Sequence, residues 1–276
     1  MNRLKVGQRA RILGCLVEGN NIRSTVRMTG AAKNTVTKLL VDVGIACAEF
    51  QNVTLRDLSC RRVQCDEIWS FCYSKAKNVP DKHRGQFGYG DVWTWTAICA
   101  DTKLAVSWLV GDRSADTAAI FIEDLASRLS NRVQLTTDGH NAYLTAVEST
   151  FGGSFAIDYA MLQKIYGPEP DGQKRYSPAQ CIGAEAKIIA GNPDPKHIST
   201  SFVERQNLTM RMQMRRFTRL TNAFSKKVEN LAHAVSLHFM FYNFARVHRS
   251  LRVTPAMEAG VADHVWTLEE IAQLAD

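Results

Sequence analysis

Three stretches of this chain set an acidic residue at the edge of an expected strand or helix. They are Cys65-Asp66-Glu67-Ile68-Trp69-Ser70-Phe71, Thr136-Thr137-Asp138-Gly139-His140-Asn141-Ala142-Tyr143 and Phe202-Val203-Glu204-Arg205-Gln206-Asn207-Leu208. Asp66 falls inside an apolar, β-rich run, where a carboxylate is costly unless it is paired or ligates a metal. Strand alternation sends Glu67 to the opposite face, so Asp66 alone of the two is expected in the site. Asp138 follows the expected strand Gln134 to Thr137 and precedes Gly139, which places it at the carboxyl end of a strand, where α/β sheets bind ligands. Taken alone it reads better as a turn or helix-cap aspartate, since Asp-Gly is a frequent turn pair. Glu204 heads a helix, where an acid also suits the macrodipole, and Leu208, Arg211 and Arg215 share its face. A simple ion pair or a solvated face would account for it equally. Carboxylates from three separate elements can converge to hold two divalent ions about 4 Å apart. Such a pair activates one oxygen and stabilises another during in-line attack at phosphorus.

The elements that must position these groups follow from periodicity. Val6 to Val17 has apolar residues at helical spacing and stops at Glu18-Gly19-Asn20-Asn21. Ile22 to Met28 reads as a second helix, Thr29-Gly30-Ala31 as a turn, and Lys33 to Val43 as a third helix. That is a helix-turn-helix layout, with Lys33, Asn34, Thr37 and Lys38 expected to face the major groove. A plain helical cap is the bland alternative. From about Val63 the pattern turns to strands, at Arg62–Tyr73, Asp91–Ala100 and Leu104–Val110. A helix is expected over Asp116–Leu129, a short strand at Val133–Thr137, a helix over Asn141–Thr150 and a further strand at Phe155–Leu162. Residues 163–199 hold five prolines and are expected to be irregular. Helices return from Ser201 to about Leu220 and from Ser225 to Val247. The order predicts an α/β, ribonuclease-H-like mixed sheet with helices on both faces, an all-α N-terminal unit and a C-terminal helical extension. The expected boundaries are 1–44, a linker at 45–62, a catalytic domain at 63–220 with an insertion near 152–199, and the extension at 221–276.

Charge is segregated along the chain. The net value of +7 divides into +6 over residues 1–44, −2 over 45–203, +8 over 204–252 and −5 over 253–276. Two basic segments flanking the acidic motifs suit a polyanion held from both sides of a site. No apolar run approaches a bilayer span, and charges stand where a signal peptide would be apolar, so a cytoplasmic protein is expected. Seven scattered cysteines without any Cys-x-x-Cys pair predict reduced thiols serving as small core residues. Trp69, Trp93 and Trp95, on strands, are expected in the core rather than stacked on bases.

At the three acidic motifs the sequence resembles bacterial insertion-sequence transposases of the DDE type, specifically the insertion-sequence-one family. Asp66 to Phe71 matches the first motif, Thr137 to Tyr143 the second, and Val203 to Arg211 the third, including the basic residue seven positions after Glu204. Phe241-Tyr242-Asn243-Phe244-Ala245-Arg246-Val247-His248-Arg249-Ser250-Leu251 resembles the tail of such enzymes. The resemblance covers roughly residues 63–255. The sequence departs from it in lacking cysteines for an N-terminal zinc segment and in the long gap between Asp138 and Glu204.

The resemblance implies that Asp66, Asp138 and Glu204 are catalytic and hold two Mg²⁺, with Mn²⁺ able to substitute. Cleavage at element ends and strand transfer into target DNA would follow. Arg211, Arg215, Arg216, Arg246 and Arg249 join the helix-turn-helix residues as expected DNA contacts. The partners implied are double-stranded DNA and further copies of the chain in the DNA complex, with no membrane. Two alternatives stand beside this reading: a catalytically silent, transposase-derived DNA-binding regulator, and a structure-selective nuclease. Were Asp138 misplaced, Asp158 or Asp112 would be the next candidate.

Overall fold

A computed structural model describes residues 4–152, 157–167, 180–218 and 221–276. The architecture is mixed α/β: one six-stranded sheet flanked by helices. Three helices lead, α1 (Val6–Val17), α2 (Ile22–Thr29) and α3 (Lys33–Thr54). Asn21 caps α2 by accepting from the Ser24 N–H, and Gly30 ends it in the left-handed region at φ 73°. The tight turn into α3 therefore stands where Thr-Gly-Ala marked it.

The strands are β1 (Arg62–Cys72), β2 (Gly90–Cys99), β3 (Ala105–Gly111), β4 (Gln134–Asp138), β5 (Asp158–Tyr166) and β6 (Cys181–Ala190). Their order across the sheet is β3-β2-β1-β4-β5-β6. β1, β2 and β3 form an antiparallel meander, β4 and β5 run parallel to β1, and β6 returns antiparallel to β5. Helices α4 (Ala115–Arg128) and α5 (Ala142–Phe151) cover one face, where Trp95 packs on Phe121 and Tyr143. Helices α6 (Ser201–Gln213) and α7 (Val228–Met240) cover the other, where Trp108 stacks on Phe239 at 4.8 Å. Short helices α8 (Pro255–Glu258) and α9 (Leu268–Gln273) close the chain, and Arg9 of α1 reaches both the Ala272 carbonyl and Asp276.

Several expectations are corrected. The segment anticipated as linker is largely helix, because α3 continues to Thr54 and buries Cys47 and Gln51 one turn apart. Its Gly44 lets α7 approach closely, since a Cβ there would lie 2.5 Å from the His233 Cβ. The stretch 163–199, expected to be irregular, holds the end of β5 and all of β6. Edge strand β6 is exposed along most of its length, with Ile182 and Ile188 in solvent, so no buried face imposed an apolar alternation that could be read. Pro168, Pro170 and Pro178 lie outside the described residues, as do Phe155 and Leu220, at which an expected strand and an expected helix had their ends. Helix α6 stops at Gln213, and α7 starts at Val228 and passes into a π turn at Phe241–Ala245. Cys47, Cys60, Cys65, Cys72 and Cys99 are buried and all seven cysteines are free. Trp95 is fully buried, whereas Trp69 and Trp93 are only half-buried. No helix among the described residues is long and apolar enough to cross a membrane.

Candidate metal centre

The pairing of β1 with β4 ends at Cys65–Thr137. The next residue on each strand is an aspartate, Asp66 on β1 and Asp138 on β4, so both stand where the backbone ladder opens. Asp66 is opposite Thr96 and Glu67 opposite Trp95 on β2, which fixes their faces: Asp66 towards α6, Glu67 towards α4 and α5. Alternation holds, yet its expected consequence does not. Asp138 lies at the strand end between the two faces, and one carboxylate oxygen from each of Asp66, Glu67 and Asp138 falls within 4.8 Å of the others. Glu67 is therefore part of the acidic cluster from which it was expected to be excluded.

Glu204 is not a member of that cluster, but its charge reaches Asp66 across the α6 face. Its own oxygens are engaged: the Thr200 hydroxyl donates to one and Lys164 of β5 pairs with the other at 2.6 Å. Asp66 accepts from the Glu67 N–H and from the Asn207 amide, each at 2.8 Å. Asp138 accepts from the His140 N–H at 3.0 Å. Arg113, laid over the Trp93 ring, pairs with Glu67 at 3.2 Å and reaches Asp138 at 3.9 Å. The fallback aspartates have structural employment. Asp158 pairs with Arg132 and accepts from the Asn192 N–H, and Asp112 binds the Ser114 and Thr117 hydroxyls.

Burial and mutual repulsion dominate the electrostatics. Desolvation first and the Asp138 charge second push the Asp66 carboxyl up to about 7, and the same two causes push Glu67 up to about 7. The Glu67 Oε1 is buried without a hydrogen bond of regular geometry. A divalent ion fits this donor set, since three hard oxygen ligands and a surplus of negative charge that Arg113 alone does not offset both favour it. The cluster can hold a metal.

These shifts carry a stability prediction for the metal-free protein. A carboxyl with a raised folded pKa costs nothing below its unfolded value near 4 and destabilises progressively as pH rises towards 7. Asp66→Asn removes that cost. Its amide can meet a flipped Asn207, whose buried Oδ1 has no partner. The metal-free variant should melt about 2–4 °C higher than wild type at pH 7.5, for roughly 1 kcal/mol regained. The difference should vanish near pH 4. Thermal melts in chelator at both pH values check this, and a lower melting point at pH 7.5 would refute it.

The expected DNA contacts scatter more widely. Lys33, Asn34 and Lys38 are exposed at the start of α3, and Thr37 is half-buried with its hydroxyl on the Lys33 carbonyl. Lys38 is paired with Asp42 at 2.6 Å. Lys33 and Thr37 line a cleft of about 900 Å³ together with Arg215 and Arg216, which lie more than 170 residues away in sequence. Arg23, Arg27 and Lys226 complete its basic lining. Sequence reasoning missed these three, although Arg23 and Arg27 are one helical turn apart. Arg216 is half-buried and donates to the Ser225 hydroxyl at 2.6 Å. Arg211 donates to the Phe217 carbonyl at 3.3 Å, so it ties down the turn after α6. Arg246 and Arg249 are exposed beyond α7, outside the cleft. No protein-family model matches the sequence, and no curated protein matches it.

Proposed function

We propose that the chain is a DDE-type DNA transposase that cuts insertion-sequence ends and joins them to target DNA. One observation carries this reading: Asp66, Asp138 and Glu67 converge where β1 and β4 part, with Glu204 of α6 within electrostatic reach. A sheet ordered β3-β2-β1-β4-β5, with a meander followed by two parallel strands, supports a ribonuclease-H-like fold. Helices α1 to α3, with Gly30 at the turn and Lys33 and Asn34 exposed at the head of α3, support a helix-turn-helix.

Asp66, Asp138 and Glu204, with Glu67 beside them, would hold two Mg²⁺ or Mn²⁺ ions. Bound there, the ions supply activation of an oxygen nucleophile and charge stabilisation at phosphorus. The protein's own groups position and pre-charge the site. The Asn207 amide and the Glu67 N–H fix the Asp66 carboxylate, and the His140 N–H fixes Asp138. Arg113 offsets the repulsion between Glu67 and Asp138. Lys164 must leave Glu204 for that carboxylate to serve as a ligand. The basic cleft offers phosphate contacts from both charged segments, whose binding would weaken steeply with salt.

The direct test is incubation of duplexes bearing the element's own ends with Mg²⁺ or Mn²⁺, scored for nicked and joined products. Tight binding of those ends with neither product would replace the transposase by the regulator. Recognition has its own test. Changing Lys33, Asn34 and Thr37 together to alanine should weaken end binding at least tenfold while Mn²⁺ affinity stays at the wild-type value. Unaltered end recognition in gel shifts would remove α3 from that role.

A further inference from the structure

The connection between β1 and β2 runs from residue 73 to 89, seventeen residues without a strand or α-helix of its own. Connections longer than about 12–15 residues in a compact domain usually serve a function. This one is fastened in place. The His83 and Tyr89 rings stack at 4.0 Å, and Tyr73 meets them edge-on at 5.8 and 5.0 Å. Val79 and Gly88 are buried, and the Tyr73 N–H donates to the Ser225 carbonyl at 2.8 Å. An ordered loop presents its charges at fixed positions, which lowers the entropy lost when a partner binds them.

The loop's charge is one-sided. Lys75, Lys77, Lys82 and Arg84 are all exposed, against a single acid, Asp81, which is ion-paired to Arg84 at 2.8 Å. Among the described residues no carboxylate lies in ion-pair range of Lys75, Lys77 or Lys82. A lysine cluster alone would be a solvated surface, but its place gives it direction. The loop leaves the carboxyl end of β1, the end towards which Asp66 and Asp138 open, and Cys72 lies six residues beyond Asp66, about 20 Å along a strand. Cys72 also bridges to Ser225, and Lys226 rests over Tyr73 at 5.7 Å, so the loop adjoins the basic cleft that Ser225 and Lys226 line.

We propose that residues 73–89 form a phosphate-gripping arm for duplex DNA, with Lys75, Lys77 and Lys82 as its contacts. The arm is rooted at Cys72, about 20 Å along β1 from Asp66, a little over half a helical turn of B-form DNA. It rests on the transposase reading, and it adds a third basic element to the two that charge segregation marks out.

The test uses the full-length protein in chelator and a fluorescent duplex of arbitrary sequence, with anisotropy followed against NaCl concentration. Each phosphate contact contributes about −0.9 to the slope of log affinity against log salt. The triple variant Lys75→Gln, Lys77→Gln, Lys82→Gln should flatten that slope by about 2–3 and lower affinity at least tenfold near 0.1 M salt. The corresponding triple Lys→Arg variant should keep the wild-type slope. Because these side chains are exposed, melting temperature and Mn²⁺ affinity should not move. A wild-type protein that binds duplex with a steep slope which the Gln variant retains overturns the arm but leaves the transposase reading intact. Absence of any wild-type duplex binding overturns both. Loss of binding to phosphatidylserine vesicles in the Gln variant, with its DNA slope unchanged, would assign the arm to a membrane surface instead and overturn the proposal.

Discussion

Asp138→Asn should lower cleavage and strand transfer by about 10³-fold or more, while binding to element ends persists at the same salt concentration. Asp138 stands where β4 ends, and one of its oxygens lies within 4.8 Å of an oxygen of both Asp66 and Glu67. The amide keeps the shape and can still accept from the His140 N–H, so folding should survive. It also removes a negative charge that raises both neighbouring carboxyls, so those should ionise more readily in the variant. That compensation does not restore the lost ligand. Outer-shell changes at metal sites typically cost about 10–100-fold, and a ligand change should exceed that. Removing an acid from a basic protein should not weaken its hold on phosphates. Product yields on gels, paired with anisotropy on the same duplex, measure both halves. Full activity in the variant would mean the second carboxylate lies elsewhere. Asp158 and Asp112 make poor substitutes, because each is already spent on local hydrogen bonds and ion pairs.

Trp95→Ala is expected to be the most damaging single change to stability. The indole is fully buried, packs on Phe121, Tyr143 and His140, and donates its N–H to the Asp112 carbonyl at 2.9 Å. Truncation removes that packing and leaves a cavity beneath the segment that carries Asp138. The cost should be about 3–5 kcal/mol, which corresponds to a melting temperature lower by about 6–20 °C. Trp95→Phe keeps the ring and forfeits the hydrogen bond, so it should cost less than half as much. Thermal melts of both variants decide the matter. If the alanine variant melts within 2 °C of wild type, roughly 1 kcal/mol by the same conversion, the indole is not the support it is taken to be.

Local order was legible in the sequence where one residue pattern allowed one backbone. The β1–β3 meander, the Gly30 turn and the position of Asp138 at a strand end followed from apolar period and turn chemistry, which act over a few residues. The sequence also placed Asp66 on a buried strand, where its charge demanded a partner. Strand β6 was invisible because an exposed edge carries no compulsory pattern. The long α3 was cut short because its second half buries only one narrow stripe. What the sequence could not decide was distance between elements. Alternation placed Glu67 on the face opposite Asp66, and that was right; only the early end of the β1–β4 ladder lets Asp138 stand between the faces and draw both acids into one cluster. The sharing of one cleft by Lys33, Arg215 and Arg216, and the contact of the 73–89 loop with Ser225, likewise depend on how the helices wrap the sheet. Charge and residue type are properties of the chain, whereas convergence is set by register and packing.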